Sequence, residues 1–296
     1  MSDSNILESF IAIHDNFYLN VLDIGAANHK PTLSRVVQNS IKYCAIEPDK
    51  FAWPNDKNRN YKIDKWFDVV VSREERRCDF FRARKSELSS LRRPNFDVIS
   101  QFNNPGRFEI VQKQPINVTT IDRFVEKNDI GEVDYMKIDV QGVAYECLEG
   151  ATEVLEDVQM LAVELEVKRL YENQYLMWDV LSLLDSKGFS VLDMRPIHWM
   201  CGSTNYTHQA HGQIVFYNAL LYKTSKISAF KDKKREVARM FLLLKFGFYD
   251  LAYATICSSV FRAENRYKKT LSLLESKRSN NKFNPFLGSR SEWGMI

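Results

Sequence analysis

Val21-Leu22-Asp23-Ile24-Gly25-Ala26-Ala27-Asn28 is a short apolar run that ends in an acid and a glycine turn. The pattern predicts a buried parallel strand that delivers the chain into a tight turn. A second β-rich run, Lys42-Tyr43-Cys44-Ala45-Ile46, closes on Glu47, with Pro48 and Asp49 ending it. Two such strands joined through a helix make the nucleotide-binding half of a doubly wound sheet, where an acid about 20 residues past the glycine turn accepts hydrogen bonds from ribose hydroxyls. Glu47 stands 22 residues after Gly25.

The residues of the turn narrow the ligand. A dinucleotide fold uses three glycines so that the backbone can approach a pyrophosphate, whereas Gly25 is followed by Ala26, Ala27, Asn28, His29 and Lys30. Pyrophosphate is disfavoured, and with it a nicotinamide-dependent oxidoreductase. An adenosine ligand without phosphate, such as S-adenosylmethionine, asks only for a close backbone and an acid at the ribose. A nucleotide-binding α/β module without catalysis is the other alternative.

The 296-residue chain can bury a full core as one large domain or as a domain with an appendage, and 45% hydrophobic residues with 12% aromatics exclude a disordered chain. Its five cysteines are odd in number and form no CxxC pair, which points to a reducing compartment. The first 17 residues lack the apolar core of a signal peptide and no run reaches membrane-spanning length, so a cytoplasmic protein is expected. The net charge of +3 is unevenly spread: residues 225–296 hold 15 Lys and Arg against 6 Asp and Glu, a net of +9, which leaves −6 for residues 1–224. The division predicts two domains, 1–224 and a basic helical C-terminal extension, 225–296, with a mobile tail from Ser279.

Between these landmarks the chain alternates strand and helix signals. Leu33, Val36 and Val37 give the first helix an apolar face; Trp66–Ser72 reads as a third strand, and the polar, proline-broken stretch 73–115 as a loop, with Ser89–Asn95 placed to fold over a ligand. Thr119 reads as the N-cap of the next helix. Asp134–Asp139, Gln159–Val167, Phe189–Asp193 and Gln213–Tyr222 are the remaining strands, and Gly188 ends the helix before Phe189.

Val21–Ala26, Ile46-Glu47-Pro48, Thr119–Phe124, Lys137-Ile138-Asp139-Val140-Gln141-Gly142, Leu148-Glu149-Gly150-Ala151, Leu170-Tyr171 and Gly188-Phe189 together resemble an FkbM-type S-adenosylmethionine-dependent methyltransferase. The resemblance covers about residues 20–224. It implies a Rossmann-like methyltransferase fold, a mostly parallel seven-stranded sheet with helices on both faces, and methyl transfer to oxygen, commonly on a sugar or another hydroxylated natural product. Asp23, Gly25, Ala26, Glu47, Pro48, Ser72 and Asp139 are the candidate cofactor contacts.

Transfer of a methyl group from a sulfonium to a hydroxyl needs in-line positioning and a base. Lys137 and Asp139, two apart on one strand, share a face at its C-terminal end, where ligands bind in open α/β sheets. Asp139 could contact cofactor, act as base or simply pair with Lys137. Glu164 and Glu166 repeat the geometry on the next strand, for acceptor binding or catalysis. His198, His208 and His211 fall in a stretch read as a loop: either a lid carrying a base, or with Glu164 a metal site, or plain surface histidines, the reading their spacing favours. Asp139, Glu164 and His198 are the catalytic candidates, and no metal is assigned. The expected partners are a carbohydrate-like acceptor and, through 225–296, an anionic membrane or lipid-linked glycan surface, the core, or a second subunit in a homo-oligomer. No nucleic-acid partner is expected.

Overall fold

Six of the seven strands of the main sheet run parallel, in the order β3-β2-β1-β7-β8-β10-β9. The structure, a computed structural model, describes residues 3–27, 33–54, 59–202, 211–224, 233–258 and 265–276. The readings of Asn28, His29, Lys30, His208 and the tail from Ser279 lie outside those residues. The sheet comprises β1 (Leu19–Ile24), β2 (Ile41–Ile46), β3 (Ile63–Phe67), β7 (Tyr135–Ile138), β8 (Met160–Glu166), β9 (Phe189–Trp199) and β10 (Gln213–Lys223). The one reversed strand is β10, which hydrogen-bonds antiparallel to both β8 and β9. β1 is buried along its whole length. Its Leu22 and Ile24 enter one hydrophobic cluster and its Val21 the other, on opposite faces of the sheet. Burial on both faces is why the strand is apolar nearly throughout rather than alternating.

One face is covered by α4 (Ile121–Lys127), α5 (Ala144–Glu149), α6 (Val154–Asp157) and α7 (Met177–Ser186). The other is covered by the two ends of the chain: α1 (Asp3–Ala12) packs with α8 (Lys233–Lys245), α9 (Tyr249–Ser258) and α10 (Lys268–Ser276) in one cluster with Val21, Tyr43, Tyr135 and Leu220. Residues Glu236 to Leu244 of α8 are all buried. Phe241, Leu242, Leu243 and Leu244 are each 2% exposed or less, and burying a side chain of this size stabilises by roughly 1.5–3 kcal/mol. Part of the basic charge here is paired, and Arg239 is buried. Lys234 pairs with Glu132 at 2.7 Å, Arg235 with Asp157, and the Arg239 Nη2 donates to Gln159 Oε1 at 2.9 Å.

Several local readings are corrected. Trp66–Ser72 is two strands: β3 ends at Phe67, and β4 (Val70–Val71) belongs to a second sheet, β4-β6-β5. The stretch 73–115 is not a plain loop, for β5 (Arg76–Ala83) pairs antiparallel with β6 (Ile110–Thr119). Pro115 is tolerated in β6 because β4 pairs only with Val118 and Thr119, leaving the strand a single neighbour at the proline. Thr119 ends β6, and Thr120 is the N-cap, its hydroxyl accepting from the Arg123 N–H at 3.1 Å. Val36 points outward at 57% exposure, while Val37 is buried in α2 (Arg35–Gln38). His198 lies in β9 and not in a loop, because the last two strands run well past Asp193 as a long antiparallel pair.

Candidate active site

Gly25 turns the chain at the end of β1 with φ +78°, and an ideal Cβ there would stand 2.0 Å from the Asp139 carbonyl oxygen. Both facts demand glycine: the left-handed backbone strains any other residue, and the turn passes directly against the end of β7. The main-chain ladder ties the two ends together, with the Asp139 N–H donating to Ile24 O at 2.9 Å and the Gly25 N–H to Ile46 O at 2.9 Å. The sole glycine of this turn thus brings Asp139 beside the ends of β1 and β2.

A cavity of about 390 Å³ opens over these strand ends. Gly25, Ala27, Glu47, Pro48, Asp49 and Asp139 form its floor; Ser89, Ser90 and Leu91, with Phe80, Gln114 and Ile116 of the small sheet, lie around the rest. Among its described lining residues Arg82 is the only cation, and it is paired with Asp49 at 2.8 Å, whereas Glu47, Asp49, Asp68, Glu87 and Asp139 are acids. Glu47 is 6% exposed and accepts from the Asp49 N–H at 2.8 Å. Burial pushes its pKa up to about 7, against the pull of that N–H.

On the other side of Asp139 lies a second cavity, of about 340 Å³, lined by Lys137, Asp139, Glu164, Arg195, Phe216 and Asn218 among others. The Lys137 ammonium sits 3.1 Å from Asp139 Oδ2 and 3.4 Å from Asp23 Oδ1, and the Tyr43 hydroxyl donates to Asp23 Oδ2 at 2.6 Å. Burial lowers the Lys137 pKa, but the Asp139 and Asp23 carboxylates outweigh it and hold the pKa above the ordinary lysine value. Lys137 is therefore a fixed cation and not a base. Glu164 takes the opposite course: burial, then the Asp139 and Glu166 carboxylates, push it well above the usual carboxylate range. Glu166 shares its direction but not its exposure, being buried and accepting from the Gly142 N–H at 3.2 Å.

Of the residues expected at the cofactor, Gly25, Glu47, Pro48 and Asp139 line the first cavity, while Asp23, Ala26 and Ser72 do not. Asp23 sits on the opposite face of β1 beneath Lys137. Ala26 is 1% exposed, and the Ser72 carbonyl packs 2.3 Å from where a Cβ on Gly150 would stand. Asp139 and Glu164 meet in the second cavity, but His198 is exposed on β9 and lines neither. Sequence reasoning missed Arg82, Gln114 and Gln141 in the first cavity, and Arg195, Phe216 and Asn218 in the second. Gln141 had a signal, since it lies within the Lys137–Gly142 segment; its amide accepts from the Tyr171 hydroxyl at 3.1 Å and reaches Glu164 at 3.5 Å.

The strand order, the reversed β10, the glycine turn and the acid closing β2 define a Rossmann-like methyltransferase fold. The methyltransferase FkbM domain matches residues 23–191, more than half of the chain, and the chain belongs to that family. It is a methyltransferase whose methyl donor is S-adenosylmethionine. Among solved structures it is similar to magnesium protoporphyrin IX methyltransferase from Synechocystis PCC 6803 with bound SAM, at 9% identity over 75% of this chain and 78% of that one, with a TM-score of 0.35. A SAM dependent methyltransferase from Aquifex aeolicus is similar at 15% identity over 75% and 99% of the two chains, TM-score 0.31. Among curated proteins none matches the chain. The residues of the first cavity fit the donor: buried Glu47 offers acceptors to ribose hydroxyls, and the acidic lining suits a ligand that carries a sulfonium and an ammonium.

Proposed function

We propose that the enzyme transfers the methyl group to a hydroxyl of a carbohydrate acceptor, in glycan or natural-product biosynthesis. The observation that carries this reading is the position of Asp139, which lines both the cofactor cavity and a separate second cavity. S-adenosylmethionine supplies an electrophilic methyl on sulfur, so the work left to the protein is alignment and removal of the hydroxyl proton. Asp139 supports both tasks: its side chain is 38% exposed and its carboxylate is oriented by Lys137 at 3.1 Å. It accepts the hydroxyl proton as the oxygen attacks, and the ammonium of Lys137 fixes the direction of the carboxylate. Glu47 and Pro48, at the end of β2, hold the adenosine end of the donor, and the Gly25 turn lets its remainder pass the end of β1.

The test is transfer of label from S-adenosylmethionine into sugar nucleotides, lipid-linked glycans and fractionated cell extract. A labelled methyl ether on a carbohydrate is the expected product. Label appearing only on protein, nucleic acid or a nitrogen acceptor would overturn the reading.

A further inference from the structure

Strand register gathers the polar side chains of the second cavity. Asn218 of β10 stands opposite Glu164 of β8 on one side and opposite Arg195 of β9 on the other, so the three form one rung across adjacent strands. Directly opposed residues on neighbouring strands hold their Cβ atoms about 4.5–5.5 Å apart, which places a carboxyl, an amide and a guanidinium side by side. Phe216, two residues from Asn218 on the same face, stands opposite Ile197 and supplies an apolar floor at the end of the rung. Asp139 closes the side toward the cofactor cavity.

We infer that this second cavity is the acceptor subsite, and that it takes an electrically neutral hydroxylated ring in preference to one bearing a carboxylate, phosphate or ammonium group. The inference rests on the O-methyl transfer proposed above and adds the place and the charge class of the acceptor. Its cations are already matched: Lys137 lies between Asp139 and Asp23, and the Arg195 Nε donates to Asp193 Oδ2 at 3.0 Å. An anionic ligand therefore gains no uncompensated cation and meets the Asp139 carboxylate. A cationic ligand meets the ammonium and guanidinium. A neutral polyol disturbs neither pair. It hydrogen-bonds to the outward lone pairs and N–H groups, to the Asn218 amide and to the Glu164 carboxyl, which burial favours in its proton-donating form, while its C–H face rests on Phe216. The volume of about 340 Å³ lies at the small end of ligand sites, the scale of one or two rings rather than an extended chain.

The full chain, with and without S-adenosylhomocysteine, is titrated with four methyl glycosides by saturation-transfer NMR: a neutral hexose, a uronic acid, a hexose 6-phosphate and an amino sugar. The neutral glycoside should bind at least tenfold more tightly than each charged one. Phe216→Ala and Asn218→Leu should each weaken it at least tenfold, while S-adenosylhomocysteine affinity, measured by calorimetry, stays within twofold and shows that the fold is intact. Equal or tighter binding of a charged glycoside would overturn the inference, as would neutral binding that neither variant alters, or no neutral binding at millimolar concentration. The wild-type charge preference is read without any variant, so a misfolded variant cannot shelter the idea. Failure of S-adenosylhomocysteine to bind would instead sink the donor assignment, and glycoside binding to the unloaded protein would still decide the acceptor site.

Discussion

The two cavities that meet at Asp139 are built from different parts of the same sheet. The first cavity is made where strands end: the turns after β1 and β2, the exit of β7 and the small sheet above them. The second cavity is made on the strands themselves, from side chains standing on one face of β7, β8, β9 and β10. A site of turns depends on local backbone, on Gly25 above all, whereas a site of rungs depends on which strand lies beside which. Changes in the two places should fail in different ways.

The largest effect is expected where the rung-built side is held together electrostatically. Lys137→Met removes the ammonium that stands 3.4 Å from Asp23, which is 2% exposed. Breaking such a buried pair costs about 3–5 kcal/mol, to be read as a shift in urea midpoint, and adding Asp23→Asn should restore most of the loss. If the single variant is as stable as wild type, the ion pair does not anchor this side.

Asp139→Asn touches both cavities and keeps the shape of the side chain. It should lower kcat about a hundredfold, or about 2.7 kcal/mol of barrier, with S-adenosylhomocysteine affinity changed by no more than about threefold. If affinity falls and saturated turnover survives, Asp139 belongs to the cofactor side alone and the proton acceptor is another group.

Glu47→Ala should act on the turn-built side only, weakening S-adenosylhomocysteine by about 1–3 kcal/mol as hydrogen bonds to a charged group are lost. Calorimetry checks this, and neutral glycoside binding should not move.

The smallest effect is one of pH. The folded-state pKa of Glu47, about 7, lies above the ordinary 4.5. The folded protein thus holds an extra proton between these values, and Glu47 costs stability as pH rises through that window. Ligand binding has the opposite sign, since ribose hydroxyls donate to the ionised carboxylate. S-adenosylhomocysteine should bind about tenfold more weakly at pH 6 than at pH 8, and Glu47→Gln should flatten the dependence. A flat wild-type profile would show that Glu47 does not titrate on the ligand's behalf.

Much of the turn-built site was legible because its signals are local. Gly25, Glu47, Pro48 and Asp139 each end a strand, and a strand end is visible as an apolar run meeting a glycine, a proline or an acid. Asp23 and Ser72 do not line that cavity: period-two alternation turns Asp23 to the far face, and Ser72 follows a two-residue strand of a different sheet. That second sheet was hidden because β5 and β6 are mostly exposed or half-buried and show little apolar alternation. His198 was misplaced because nothing local shows that β9 extends to Trp199.

By itself the sequence determined the alternation of strands and helices, the glycine turn that disfavours pyrophosphate, the acid at ribose spacing and the membership of a methyltransferase family. Each is written within a few residues, as backbone freedom, side-chain charge or hydrophobic period. Only the tertiary structure decided that the basic C-terminal helices share a core with α1 and β1, and that Glu164, Asn218 and Arg195 stand in one rung. Those facts depend on long-range packing and on the reversed register of β10, which pairs Asn218 with Glu164, 54 positions away, and with Arg195, 23 positions away, and no local period records such a pairing.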